Sequence, residues 1–193
     1  KKAWLAWRHE LFADVHGVLA TGPAFVLFLM HYLMAEPEII QQELLTEPNW
    51  GSYPPRFLRM ALNLALLKQL GLLEPARSAL QALAGHLGVA YNDPQQIWCD
   101  TYEFHQMENF QPDVEAIAKC LLDGPYPVFG GVSLRQVLNF SQNDLLGARN
   151  RADDILLGNK LPEGDPLRRI FAAATLAYYI HPQAYIQLNG HAA

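Results

Sequence analysis

"VHGVLATGPAFVLFLMHYLMA", Val15 to Ala35, contains no Asp, Glu, Lys or Arg. An uncharged apolar run of this length approaches what a bilayer-spanning helix needs. Gly22-Pro23 decides against that reading. Proline lacks an amide hydrogen and its ring clashes with the preceding turn, so the run divides there. His16 and His31 also lie inside it. The stretch is therefore read as two buried helices meeting at "ATGPAF", Ala20 to Phe25, with no membrane span. Thr21-Gly22-Pro23 ends the first helix, which starts near Ala3. Pro23 suits the first turn of the second, which runs to about Met34.

Helical periodicity continues on the C-terminal side. Glu36-Pro37 opens a short helix, and "TEPNWGSYPP", Thr46 to Pro55, is a loop by its Pro, Gly and Asn content. "RFLRMALNLALLKQLG" places Phe57, Leu58, Ala61, Leu62, Ala65 and Leu66 on one broad apolar face, with Gly71 as C-cap. Helices follow near Pro75–Leu87, Pro94–Glu108 and Pro112–Leu122, with Tyr91 to Pro94 as the turn before the second of them. "DGPYPVFGG", Asp123 to Gly131, is a hinge. Ser133–Leu138 is a short element. Ser141 caps a helix with Asp144 at its favourable dipole end, and that helix stops at Gly158. Asp165-Pro166 opens the next, which ends at His181-Pro182. Strand signals are almost absent. The expected fold is all-α: a compact multi-helix domain, or two helical subdomains with residues 1–122 in one, a hinge over 123–131, and residues 132–193 packed on the first.

At 193 residues the chain is long enough to bury a core, and 51% hydrophobic content argues against disorder. The net charge of −5 comes without a dense Lys/Arg patch, which disfavours nucleic acid as a partner. Two cysteines, Cys99 and Cys120, have neither CxxC spacing nor framework density, so they read as reduced thiols of a cytoplasmic protein. The chain opens Lys1-Lys2 without Met, which reads as a fragment or a processed product.

Charge is sparse, so its local concentrations carry weight. "RHELFADVHG", Arg8 to Gly17, holds two His and two acids. On a helix Glu10 and Asp14 stack on one face, where like charges repel by a few tenths of a kcal/mol unless a cation or donor joins them. Leu5, Leu11, Phe12, Val15, Val18 and Leu19 leave little of this helix for water, and a buried acid needs a partner. The pair asks for a metal, an arginine or a histidine, with Arg56, Arg59 and His9 as the internal candidates. His9 and His16 lie two turns apart, about 10 Å, too far to share one ion. His9-Glu10-Leu11-Phe12-Ala13 is not HExxH, because Ala13 stands where the second His must be.

"ELFADVHGVLATGPAF", with Glu10-Leu11-Phe12-Ala13-Asp14 in the form E-x-x-A-D, resembles the second metal-binding helix of gluzincin-type zinc metallopeptidases. Gly22-Pro23-Ala24-Phe25, Tyr53-Pro54-Pro55-Arg56-Phe57-Leu58-Arg59, and Asn139-Phe140-Ser141 with Asp144 and "AAATLAYYIHP" resemble, in that order, the C-terminal helical part of bacterial proteins of this kind. The resemblance implies that Glu10 is a zinc ligand. It implies that Asp14 orients a ligand His through its outer N–H. HExxH, which supplies the other two ligands and the general base, occurs nowhere in the chain. Either those residues lie upstream in a longer protein, where they would complete the zinc site, or this lineage has lost them; the expected partner is that N-terminal portion or another protein, and the chain alone would be inert. Two other readings stand beside this one. In one the chain is a non-catalytic helical protein-interaction domain with both acids in a buried polar network. In the other it is a homodimer formed through its apolar first helix.

Other chemistry is weaker. Ser52, Ser133 and Ser141 sit in no GxSxG elbow. Cys99 and Cys120 could pair with His105 or His86, but buried thiols are commoner. His105 and Glu108, with Asp100 and Glu103, suggest a surface metal site or a solvated face. Gly124, Gly130 and Gly131 lack a P-loop lysine. Trp4, Trp7, Phe12, Phe25, Phe28 and Tyr32 are spaced like core.

Overall fold

The computed structural model describes residues 1–34, 53–54, 56–87 and 110–190. Among them every extended regular element is a helix, and the fold is all-α. The helices are α1 (Lys2–Ala6), α2 (Arg8–Thr21), α3 (Pro23–Met34), α4 (Arg56–Gln69), α5 (Leu73–His86), α6 (Gln111–Asp123), α7 (Leu134–Val137), α8 (Gln142–Leu156), α9 (Leu167–Ile180) and α10 (Pro182–Gly190). None of these is long and apolar enough to cross a membrane. The helices expected at Glu36-Pro37 and Pro94–Glu108, most of the Thr46–Pro55 loop and the Tyr91–Pro94 turn lie outside the described residues.

The break at Gly22-Pro23 shapes the centre of the molecule. Gly22 adopts φ 60°, a left-handed conformation that side chains other than hydrogen resist, while its amide donates to the Val18 carbonyl at 2.8 Å. The ring of Phe140, fully buried, occupies the space a Cβ would need at Gly22. Pro23 then starts α3, whose Val26, Leu27, Leu29, Met30 and Leu33 are all buried. The helix expected from Ala3 to Ala20 is two helices: Trp7 closes α1 and precedes α2. The chain hardly departs from helical hydrogen bonding there, since the Trp7 amide donates to Ala3 and the Leu11 amide to Trp7, both at 3.1 Å.

α3 lies amid α2, α4, α5 and α9; α4 also packs against α6, and α8 against α9. Residues from Ala3 to Ala177 therefore share one hydrophobic cluster. At one end Trp4, Trp7 and Phe110 meet, with ring centroids 5.6 to 5.9 Å apart. The Asp123–Gly131 segment folds back on itself: Pro125 bridges to Ser133, the Tyr126 amide donates to Val132 at 3.0 Å, and Gly130 and Gly131 take φ 73° and 86°. Ser141 and Asp144 form a reciprocal capping box at the start of α8. His181-Pro182 ends α9 and at once begins α10, because proline's missing donor is harmless in a first turn.

Some residues read as core are not. Phe28 is 55% exposed and Tyr32 69%, stacked on each other at 6.3 Å, and Leu5 is 52% exposed. α3 is apolar around most of its circumference, so nothing in its pattern marks which stripe faces outward.

Candidate functional site

Glu10 and Asp14 lie one turn apart on α2, and Arg59 and Asn63 lie one turn apart on α4. The two i, i+4 pairs face each other where these helices pack. Asp14 is fully buried. Arg59 grips it with a fork: Nε donates to Oδ2 at 2.8 Å and Nη2 to Oδ1 at 2.7 Å. Asn63 Nδ2 adds a third bond to Oδ2 at 3.0 Å and also donates to the Arg59 carbonyl at 2.9 Å. Glu10, half-buried, meets the same guanidinium through Oε2 at 3.2 Å. A planar guanidinium matches a carboxylate in two parallel bonds, which are shorter and stronger than neutral ones. Burial disfavours the Arg59 charge, but the hydrogen bonds to Asp14 and the charges of Asp14 and Glu10 outweigh that, so its pKa is raised. Asn63 is fully buried too, and its Oδ1 has no hydrogen-bond partner among the described residues.

Of the three internal candidates for pairing the acids, Arg59 is joined to both. Arg56 Nη1 reaches back to the Leu33 carbonyl at 3.3 Å, near the end of α3. His9 and His16 are exposed on α2. Asn63 is the member that sequence reasoning missed. Its one signal was a lone amide in "ALNLALL", four residues after Arg59 on an otherwise apolar helix.

The fit to a metal can be judged from these contacts. Both Asp14 oxygens already accept from Arg59, and the guanidinium lies against both acids, where a cation would have to displace it. Among the described residues no three His, Cys, Asp or Glu side chains converge. As arranged, these residues do not fit zinc unaided, and a metal held here would need ligands from elsewhere. Asp14 is fully buried with three donors on its two oxygens, so it is not presented to solvent as a base for a substrate.

The remaining chemistry is dispersed. Ser133 and Ser141 are helix caps. His86 is exposed in the last turn of α5, and Cys120 is exposed on α6. Ser52, Cys99, Asp100, Glu103, His105 and Glu108 lie outside the described residues. His31 Nδ1 lies 3.0 Å from the Tyr179 hydroxyl and ties α3 to α9. Burial pushes the Tyr179 phenol up to about 12, so it stays protonated at neutral pH. No protein-family model matches this chain, and no curated protein or solved structure matches it either.

Proposed function

We propose that this chain is a non-catalytic α-helical domain that works by contact with a protein partner, and that Glu10, Asp14, Arg59 and Asn63 form a structural clamp between α2 and α4. The observation that carries the reading is the Arg59 fork on Asp14. An acid whose two oxygens are taken by one guanidinium is neutralised and oriented inward, not presented to a ligand. The stacked, solvent-facing Phe28 and Tyr32 supply aromatic surface of the kind enriched where proteins meet. The gluzincin-like reading, with Glu10 as a zinc ligand and Asp14 behind it, asks the same acids to bind a cation that Arg59 would repel. It requires a rearrangement of Arg59 together with ligands from outside the described residues.

The two readings separate on metal content. Because the gluzincin-like reading takes its other ligands from outside this chain, the protein as purified from its source, with any flanking segment or bound partner retained, is dialysed against zinc and then against buffer, and bound zinc is measured in the wild type and in Glu10→Gln. The clamp predicts no stoichiometric zinc in either. One zinc per chain that is lost in Glu10→Gln would establish Glu10 as a ligand and overturn the clamp. The homodimer is a further proposal for the contact itself, and sedimentation velocity over a concentration series decides it.

A further inference from the structure

Away from the clamp, α1 and the start of α2 diverge from α6 around a cavity of about 490 Å³. Its walls are apolar: Trp4, Leu5 and Leu11 on one side, Ala116, Ile117 and Leu121 on the other. Four polar groups reach it, from Lys1, Arg8, Asp113 and Cys120. They are not equivalent. The Asp113 carboxylate is engaged by the Trp4 indole, whose Nε1 donates to Oδ2 at 3.0 Å. Arg8 is exposed; its Nη1 donates to the Leu5 carbonyl at 2.9 Å, and among the described residues no carboxylate pairs with it. Its remaining N–H donors form a fork suited to a carboxylate. Cavities of this size, mostly apolar with a few polar groups to fix orientation, have the proportions of small-molecule sites. The lining spans Lys1 to Leu11 on one side and Asp113 to Leu121 on the other, roughly 12 to 15 Å of helix at ~1.5 Å per residue, which makes an elongated trough.

We infer that this trough is a binding site for a free aliphatic carboxylate, with the hydrocarbon chain on the apolar walls and the carboxylate on Arg8. The charge at the mouth selects the class. Lys1 and Arg8 are cationic and outnumber the one acid, Asp113, which keeps its charge but has one oxygen occupied by the Trp4 indole. A neutral apolar molecule would leave the Arg8 fork unmatched, and a cation would meet two like charges against the single opposite charge of Asp113. The site shares no residue with the Asp14 clamp, so its success or failure leaves the proposed function to its own test.

Cys120 supplies the readout, because it lines the trough and is exposed. In a Cys99→Ser chain it is the sole remaining thiol. Its alkylation by iodoacetamide is followed with increasing decanoate, below the micellar concentration, and again with decanol. Decanoate is expected to slow alkylation saturably, and decanol to do so far more weakly. Arg8→Gln is expected to weaken decanoate binding by about tenfold, the worth of a lost charge-assisted bond. Leu5→Glu, a change at a solvent-facing position, is expected to abolish protection by placing a negative charge in the path of the chain. Circular dichroism verifies that each variant keeps its helices, and the two variants disturb different ends of the ligand. No protection by decanoate overturns the inference, as does equal protection by decanol or undiminished binding in Arg8→Gln. Protection by an apolar helical peptide but not by decanoate overturns it too, and makes the trough a protein-docking groove.

Discussion

Asp14 and Asp144 are both buried carboxylates beside arginines, yet they are held by different means. Asp14 is gripped across two helices by a residue 45 positions away, at 2.7 and 2.8 Å, and by Asn63. Asp144 is held chiefly by its own turn, where it accepts from the Ser141 amide at 3.0 Å and the Ser141 hydroxyl at 2.8 Å. Arg168 and Arg169 stand further off, at 3.3 and 3.4 Å. They belong to a surface network that continues through Asp165 to Arg151 and Asp154. Removing one partner of a buried pair strands a charge in low dielectric, whereas partners at the surface are replaced by water. The same chemistry therefore locks tertiary structure at α2–α4 and merely trims a helix start at α8.

The sharpest way to break this contrast is Arg59→Met, which leaves Asp14 buried with Asn63 alone. A loss of about 3–5 kcal/mol in urea unfolding is expected. Asp14→Leu combined with Arg59→Met should recover much of it, since neither charge is then stranded, and the double-mutant cycle gives the coupling. A loss below about 1 kcal/mol for Arg59→Met would place the clamp in the same class as the surface network.

A smaller effect is expected from Asp144→Asn, about 1 kcal/mol near neutral pH, with a signature in its acid dependence. Burial works to raise the Asp144 pKa, but the Ser141 bonds, the Arg168 charge and the Arg169 bond outweigh it and hold the carboxyl below its ordinary 3.8. A depressed folded-state pKa contributes stability above 3.8 that is lost as pH falls through the lower folded value. Urea titrations from pH 5 downward should show a shallower acid limb in Asp144→Asn. An unchanged slope would mean that the capping box draws nothing from the charge.

Arg151→Ala should change stability least, although Arg151 bonds both Asp154 at 2.7 Å and Asp165 at 2.6 Å. Arg151 and Asp154 are in reach of solvent while Asp165 is largely covered, and the difference from wild type should shrink as salt is raised from about 0.05 to 0.5 M. A salt-independent loss would show that the surface network supports the α8–α9 packing after all.

The same contrast explains what was legible. Ser141 and Asp144 stand three residues apart, so the helix start with Ser141 as its cap is written in nearby letters and is found as read, and the structure adds the return bond from the Ser141 amide to Asp144. Glu10 and Asp14 advertise a need for a partner because their spacing stacks them on a mostly apolar helix. Which partner they take depends on how α4 is rotated against α2, and local spacing holds no record of that. Arg59 was therefore one of three candidates, and Asn63 was not among them. Phe28 and Tyr32 failed as core residues for the opposite reason: α3 is so uniformly apolar that its exposed stripe is set by its neighbours alone. Pro182 stops α9, but the same lack of a donor let it open α10.

By itself the sequence determined the helical class, the break at Gly22-Pro23, the start of α8 and the existence of two acids in need of compensation. Each follows from interactions within a few residues: proline's missing amide, glycine's tolerance of positive φ, a serine hydroxyl within reach of its own helix. Tertiary structure alone decided that Arg59 and Asn63 compensate Asp14, that two aromatics of α3 face solvent, and that α1, α2 and α6 part around a trough. Those outcomes depend on the relative rotation of helices distant in sequence, which is fixed by the packing of the whole core.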